Sequence, residues 1–221
     1  MNLAGDLIPL WLGLPALAAF LLLAGWNVAG APWALLRHNQ LEPVFAVACG
    51  LLAGLWSLSV GAREGLEFHL LGLTAMVLIF GWRLALVGGA IALGLLTVLG
   101  INDWQALGVN GLIGVALPVW LSHRLGGLVY HWLPRHLFVY IIVTAHFAAM
   151  LASIAVIVLG GTLLALLGAY PWSQVTGEYF LFMPLVILPE GFINGALMTM
   201  LAILKPEWVR SFDDHDYLIG K

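Results

Sequence analysis

The sequence predicts an all-α integral membrane protein, a bundle of about seven transmembrane helices forming a single domain. Three observations carry this. Hydrophobic residues make up 62% of the 221 and charged residues only 9%, where soluble domains carry roughly 25% charge. So few charges cannot cover a water-facing surface, and lipid must be the solvent for most of the outside. The apolar stretches are long, continuous and rich in Leu, Ala and Gly, unlike the alternating segments of about ten residues that build membrane barrels. Backbone groups in hydrocarbon must then be paired within each segment, which selects helices.

The first apolar run extends from Leu7 to Leu36, with Pro9 and Pro15 near its start. No positive segment precedes it, so it is expected to be a retained helix rather than a cleaved signal. The second covers Pro43 to Val60, the third His69 to Phe80 and the fourth Leu84 to Leu99. Gly81-Trp82-Arg83 divides the last two with barely a turn. Merged, they would exceed about 45 Å, too long for one crossing. The fifth run spans Trp104 to Tyr130, the sixth Leu137 to Leu167 and the seventh Tyr179 to Leu204. Residues 205–221 are left as a short, solvated cytoplasmic tail.

The eight basic residues orient the bundle. With an outside amino terminus and seven crossings, Arg37, Arg83, Arg124, Arg135, Lys205, Arg210 and Lys221 fall inside, leaving Arg63 outside. That partition follows the positive-inside rule. The carboxyl terminus is accordingly expected to be cytoplasmic, and the chain to be a multi-pass protein of the plasma (inner) membrane. A net charge of −3 without a basic cluster offers nothing to nucleic acid, and the single Cys49 excludes an intrachain disulfide. Cys49 reads as a small core residue. No hydrolytic triad, redox pair or nucleotide loop is visible, so no enzymatic activity and no resident cofactor are expected.

Polar groups inside the apolar runs are the candidate functional residues, because lipid makes them costly. His69 opens the third run: its imidazole can ligate a metal ion arriving from outside, or be satisfied by a carbonyl or a headgroup. Asn110, entering the fifth helix, can steady a site or bond another helix. Glu190 follows Pro189 inside the seventh run, with Asn194 one turn later on the same face. A carboxyl at that depth must be protonated, paired or ion-bound, and a structural bond and a functional role both fit. His146 reads as a packed, hydrogen-bonded histidine. The cluster Asp213-Asp214-His215-Asp216 can chelate a cation loosely or simply solvate the tail.

The segments His69-Leu70-Leu71-Gly72, Gly81-Trp82 and Asn102-Asp103-Trp104-Gln105-Ala106-Leu107-Gly108-Val109-Asn110 resemble the nickel/cobalt substrate-binding membrane component of energy-coupling-factor transporters, the CbiM/NikM type. The ending Pro189-Glu190-Gly191-Phe192-Ile193-Asn194-Gly195, closing on Lys205-Pro206-Glu207, is similar to that family's last helix and exit. The resemblance implies a seven-helix binding protein for a transition-metal ion held in a square-planar nitrogen site. The family's ligands are the terminal amine, the backbone and side chain of a histidine at position two, and the histidine of the "HLLG" segment. Carried onto this chain, they are Met1, Asn2 and His69. Position two departs from the pattern: the family's "MHIPDG" start is absent and an asparagine stands there. The resemblance further implies a coupling subunit and an ATPase pair as partners, although the chain is closer to a divergent, stand-alone branch. The expected function is the substrate-binding permease component of an ABC-type importer of a nickel- or cobalt-like ion. The alternative is a non-transporting membrane accessory protein for metal handling or complex assembly.

Overall fold

The computed structural model describes residues 3–63 and 65–217. In chain order the helices are α1 (Leu10–Gly30), α2 (Trp33–His38) and α3 (Glu42–Ser57). A two-stranded antiparallel hairpin follows, β1 (Val60–Arg63) and β2 (Leu66–Phe68), then α4 (Leu73–Phe80) and α5 (Trp82–Val98). The remainder comprises α6 (Leu107–Trp132), α7 (Leu137–Leu166), α8 (Trp172–Leu204) and a short α9 (Asp214–Tyr217). Proline sets several boundaries. Pro9 precedes α1, Ala31-Pro32 ends it, and Pro43 occupies the first turn of α3, where its missing N–H costs nothing.

Four helices, α1, α6, α7 and α8, are long and apolar enough to cross a membrane unaided. The second and fourth apolar runs give shorter helices, α3 and α5, of 16 and 17 residues. The third run differs from its expected form. Its helix covers only eight residues, about 12 Å of rise, and His69 to Leu71 lie ahead of it in irregular chain. The physical reason is a glycine at each end, both with positive φ: Gly72 at +66° and Gly81 at +86°. Each turns the chain in a way that other residues resist. An eight-residue helix cannot span hydrocarbon; α4 is tolerated because it is wrapped in protein, every residue from Leu73 to Phe80 being buried. It packs against α5, α6, α7 and α8.

The burial pattern inverts that of a soluble domain. Trp11, Leu22, Val98, Trp132, Leu166 and Leu185 are 71–85% exposed, while Asn27, Thr74, Asn110, Ser122, Ser153, Glu190 and Asn194 are buried. This chain is an all-α membrane protein. Wide π-type turns interrupt α6 (Gly111–Ala116), α7 (Tyr140–Phe147) and α8 (Val175–Tyr179). In α6 the widening precedes Pro118, whose ring would clash with a carbonyl one turn back in a regular helix.

The tail departs from the solvated segment expected. Val209, Phe212 and Tyr217 are buried, and the backbone N–H groups of Arg210 and Ser211 donate to Ile79 O (3.0 Å) and Leu78 O (3.1 Å). These are carbonyls that the last turn of a helix leaves without intrahelical partners. Apolar side chains hold the tail against the bundle, and its backbone closes the end of α4.

Candidate metal site

The site begins with the opposite end of α4. The first N–H groups of any helix lack partners within it, and in lipid each must be satisfied by protein. Here the acceptors come from α8. Glu190 Oε2 accepts from Leu71 N (2.6 Å), and Oε1 from Gly72 N (2.8 Å) and Asn194 Nδ2 (2.8 Å). Asn194, one turn on, accepts from Ala75 N through Oδ1 (2.9 Å) and donates to Glu190 O (2.8 Å). A carboxyl facing a helix amino end also meets the positive end of its dipole. Glu190 is therefore turned away from lipid, 1% exposed, and fixes the chain immediately after His69.

His69 lies in the irregular link between β2 and α4. Its Nδ1 sits 3.1 Å from Leu70 O. A carbonyl only accepts, so Nδ1 carries the proton and Nε2 the lone pair, the tautomer a metal ligand needs. The Trp56 ring lies 5.5 Å from the imidazole, and Trp56 Nε1 donates to Leu71 O (3.0 Å). Leu71 is thus held on both faces, its N–H by Glu190 and its carbonyl by Trp56. Beside the imidazole is a small cavity, walled by Trp56, Leu93, Asn102, Asn110, Gly114 and Val115. It offers about 10 Å³ to the centre of a water-sized sphere, room for about one water or one ion.

Asn110 joins this wall to the start of the chain. Its Oδ1 accepts from Leu3 N (2.9 Å) and its Nδ2 donates to Leu3 O (3.1 Å), so the side-chain amide pairs with backbone as a neighbouring strand would. Asp103 Oδ2 accepts from Gly5 N (2.8 Å). Leu3 is 1% exposed. Close contact between α1 and α6 makes this possible: a Cβ on Gly108 would overlap the Leu17 backbone, and only glycine fits there.

Of the residues expected from the sequence, His69 and Asn110 come together around the cavity. Glu190 and Asn194 stand behind it as supports. Met1 and Asn2 lie outside the described residues. His146 packs on α8 at Gly195 and does not line the cavity. Among the described residues no three His, Cys, Asp or Glu side chains gather as a metal cluster. Donors beyond His69 would therefore be amide or backbone groups. Trp56 was not singled out in the sequence, and Asn102 and Asp103 entered only as the head of the segment leading to Asn110, not as site residues. Asn102-Asp103, a polar pair between two apolar runs, carried a signal; Trp56 carried none.

The model of a family described as the cobalt uptake substrate-specific transmembrane region, CbiM, matches residues 2–208. The chain belongs to the CbiM family. Comparison with curated proteins and with solved structures gave no match. CbiM proteins are components of cobalt transporters rather than enzymes, and the membrane-crossing helices of this member accord with that role. The match takes in both the Leu3 clamp and the Glu190–Asn194 cap, so the whole frame around His69 belongs to the CbiM region.

Proposed function

We propose that this CbiM-family chain is the ion-binding membrane component of an energy-coupling-factor importer, taking cobalt or nickel through a nitrogen-rich site. The observation that carries the reading is the pairing of His69 with Asn110 across one ion-sized cavity. The Leu70 carbonyl fixes the imidazole tautomer, and Asn110 ties Leu3 to the same wall. The family resemblance assigns the remaining donors to Met1 and Asn2, which lie outside the described residues. A coupling subunit and ATPase subunits would drive delivery. Purified protein offered copper, nickel, cobalt and zinc together should retain ions by imidazole and amide nitrogen, with copper ahead of nickel and nickel ahead of cobalt. Elemental analysis finding no first-row metal would remove the reading.

Asn110 makes a graded test. Asn110→Ala deletes both bonds to Leu3 while leaving His69 in place, and should weaken cobalt binding by about 10–100-fold. Equilibrium dialysis with cobalt measures this; an unchanged affinity would show that the clamp does not serve the site.

The second reading, an accessory protein without transport, is favoured by the asparagine at position two. Asn2→His separates the two readings, since it should strengthen nickel binding if the start of the chain reaches the site. Orientation is part of the proposal. The His69 end faces outside and the tail end, with Arg83, Arg124 and Arg210, faces the cytoplasm. A reporter inserted near Asp103 should read outside and one fused after Lys221 should read cytoplasm. Both on one side would overturn the assignment.

A further inference from the structure

At the far end of α4 from His69, the tail borders a cavity of about 530 Å³, within the size range of small-molecule sites. The Gly81-Trp82 turn, α6 between Ser122 and Tyr130, α7 at Tyr140 and Thr144, and the tail from Arg210 to Asp213 supply its walls. We propose that this cavity binds a phospholipid head group carrying a phosphate and a primary amine, as phosphatidylethanolamine does. The Arg210 guanidinium takes the phosphate and the Asp213 carboxylate takes the ammonium. The site is separate from the candidate metal site and does not depend on it.

Two opposite charges line this cavity without pairing. Among the described residues neither Arg210 nor Asp213 stands in an ion pair, with the other or with any third group. The Arg210 guanidinium lies across Gly81, where a Cβ would meet Nη1 at 2.9 Å. Its bond to Phe80 O, at 3.5 Å, is at the outer limit of a hydrogen bond, so most of its five N–H donors are unspent. Asp213 Oδ1 accepts from His215 N (2.8 Å), and Oδ2 remains as an acceptor. A bare phosphate would be held by the arginine and repelled by the carboxylate; a metal cation would meet the reverse. A zwitterion answers both charges. Guanidinium and phosphate pair through two parallel hydrogen bonds, and a primary ammonium, like that of lysine, carries three donors for a carboxylate.

Room for the head group comes from α6. Gly126 and Gly127 both line the cavity; a Cβ on Gly126 would meet only Thr144 Cγ2, at 3.6 Å, and one on Gly127 nothing within 4 Å. The rings of Trp82, Tyr130 and Tyr140 add faces that attract an ammonium. The surroundings favour a lipid over a free solute. Arg83 lies over Trp82 (5.1 Å) and Arg135 over Tyr130 (4.2 Å), the mixture of aromatic and basic groups that sits at the phosphate level of a bilayer. Beside the lining residues in the chain, Leu128, Trp132 and Phe138 are 54–81% exposed, an apolar surface for the acyl chains. In the orientation proposed above, the lipid belongs to the cytoplasmic leaflet.

The test is native mass spectrometry of the delipidated full chain in detergent, titrated with phosphatidylethanolamine, phosphatidylcholine and phosphatidylglycerol of identical acyl chains. Phosphatidylethanolamine should bind about tenfold tighter than the other two, the worth of one charge-assisted hydrogen bond. Choline offers Asp213 no N–H, and the glycerol head group offers it no positive charge. Asp213→Asn, which keeps an oxygen for His215 N, should erase the preference, and Arg210→Gln should weaken all three lipids by about tenfold. Gly126→Leu fills the cavity with both charges intact and should also erase the preference; Gly127→Leu replaces it if that variant does not fold. Soluble glycerophosphoethanolamine distinguishes the two sources of this chemistry. At the lipid's own concentration it should not displace the lipid; displacement would make the occupant a free solute and overturn the lipid site. Equal binding of the three lipids by the wild type, or an unchanged preference in Asp213→Asn or in the cavity-filling variant, would overturn it as well.

Discussion

His69→Ala is expected to abolish cobalt retention by the purified chain, a loss larger than the 10–100-fold typical of residues that only support a ligand. Among the described residues the imidazole is the one metal-seeking side chain at the cavity, and no group of three His, Cys, Asp or Glu stands ready to replace it. His215→Ala, in the exposed part of the tail, should leave retention nearly unchanged. Isothermal titration with cobalt reads both variants. A His69→Ala protein that binds cobalt like the wild type would end the case for this site.

The second large effect is expected at Glu190. Glu190→Leu withdraws the acceptors of Leu71 N and Gly72 N, leaving one buried and one half-buried donor facing a hydrocarbon side chain. An unsatisfied buried donor costs about 1–3 kcal/mol, so the pair costs about 2–6 kcal/mol. For a chain of this size that corresponds to a fall in melting temperature of about 5–20 °C. Glu190→Gln keeps one acceptor oxygen but turns an NH₂ group toward a donor, so it should fall between. Both variants should still insert, since the long apolar helices are untouched, and both should bind cobalt less well because the segment after His69 loosens. Thermal unfolding in detergent, followed by cobalt titration of the protein that survives, separates the two effects. A Glu190→Leu protein with wild-type melting would show that the α4 cap contributes little.

Much of the frame was legible because it follows from solvent. Long apolar runs must be helical in lipid, and each of the seven runs holds a helix. The eight-residue α4 was harder to see. Periodicity marks where a helix is favoured, whereas its true start is set by Gly72 and by acceptors on α8, 118 and 119 residues away in sequence. The same distance hides the partner of each buried polar group. Glu190 and Asn194 could be recognised as groups needing partners, since a carboxyl in lipid cannot stand alone. That their partners would be backbone N–H groups of a broken helix requires the fold. Asn110 was visible for its polarity, but its clamp on Leu3 spans 107 residues. The tail misled because its charges suggest water. Val209, Phe212 and Tyr217, spaced between those charges, are what dock it.

The double closure of α4 also sets an order of assembly. The groups that finish its amino end, Glu190 and Asn194, and those that finish its carboxyl end, Arg210 and Ser211, are all made more than a hundred residues after it. At about 5–20 residues per second, a ribosome needs on the order of ten seconds to supply them. During that interval α4 has neither the length to span the bilayer nor the partners to end within it. The nascent chain must therefore keep this segment near the interface or inside the insertion machinery. Only when the last long helix and the strap behind it arrive can the segment enter the bundle. The link bearing His69 then closes on the wall that holds Asn110, so the candidate site is completed only after the membrane helices are in place.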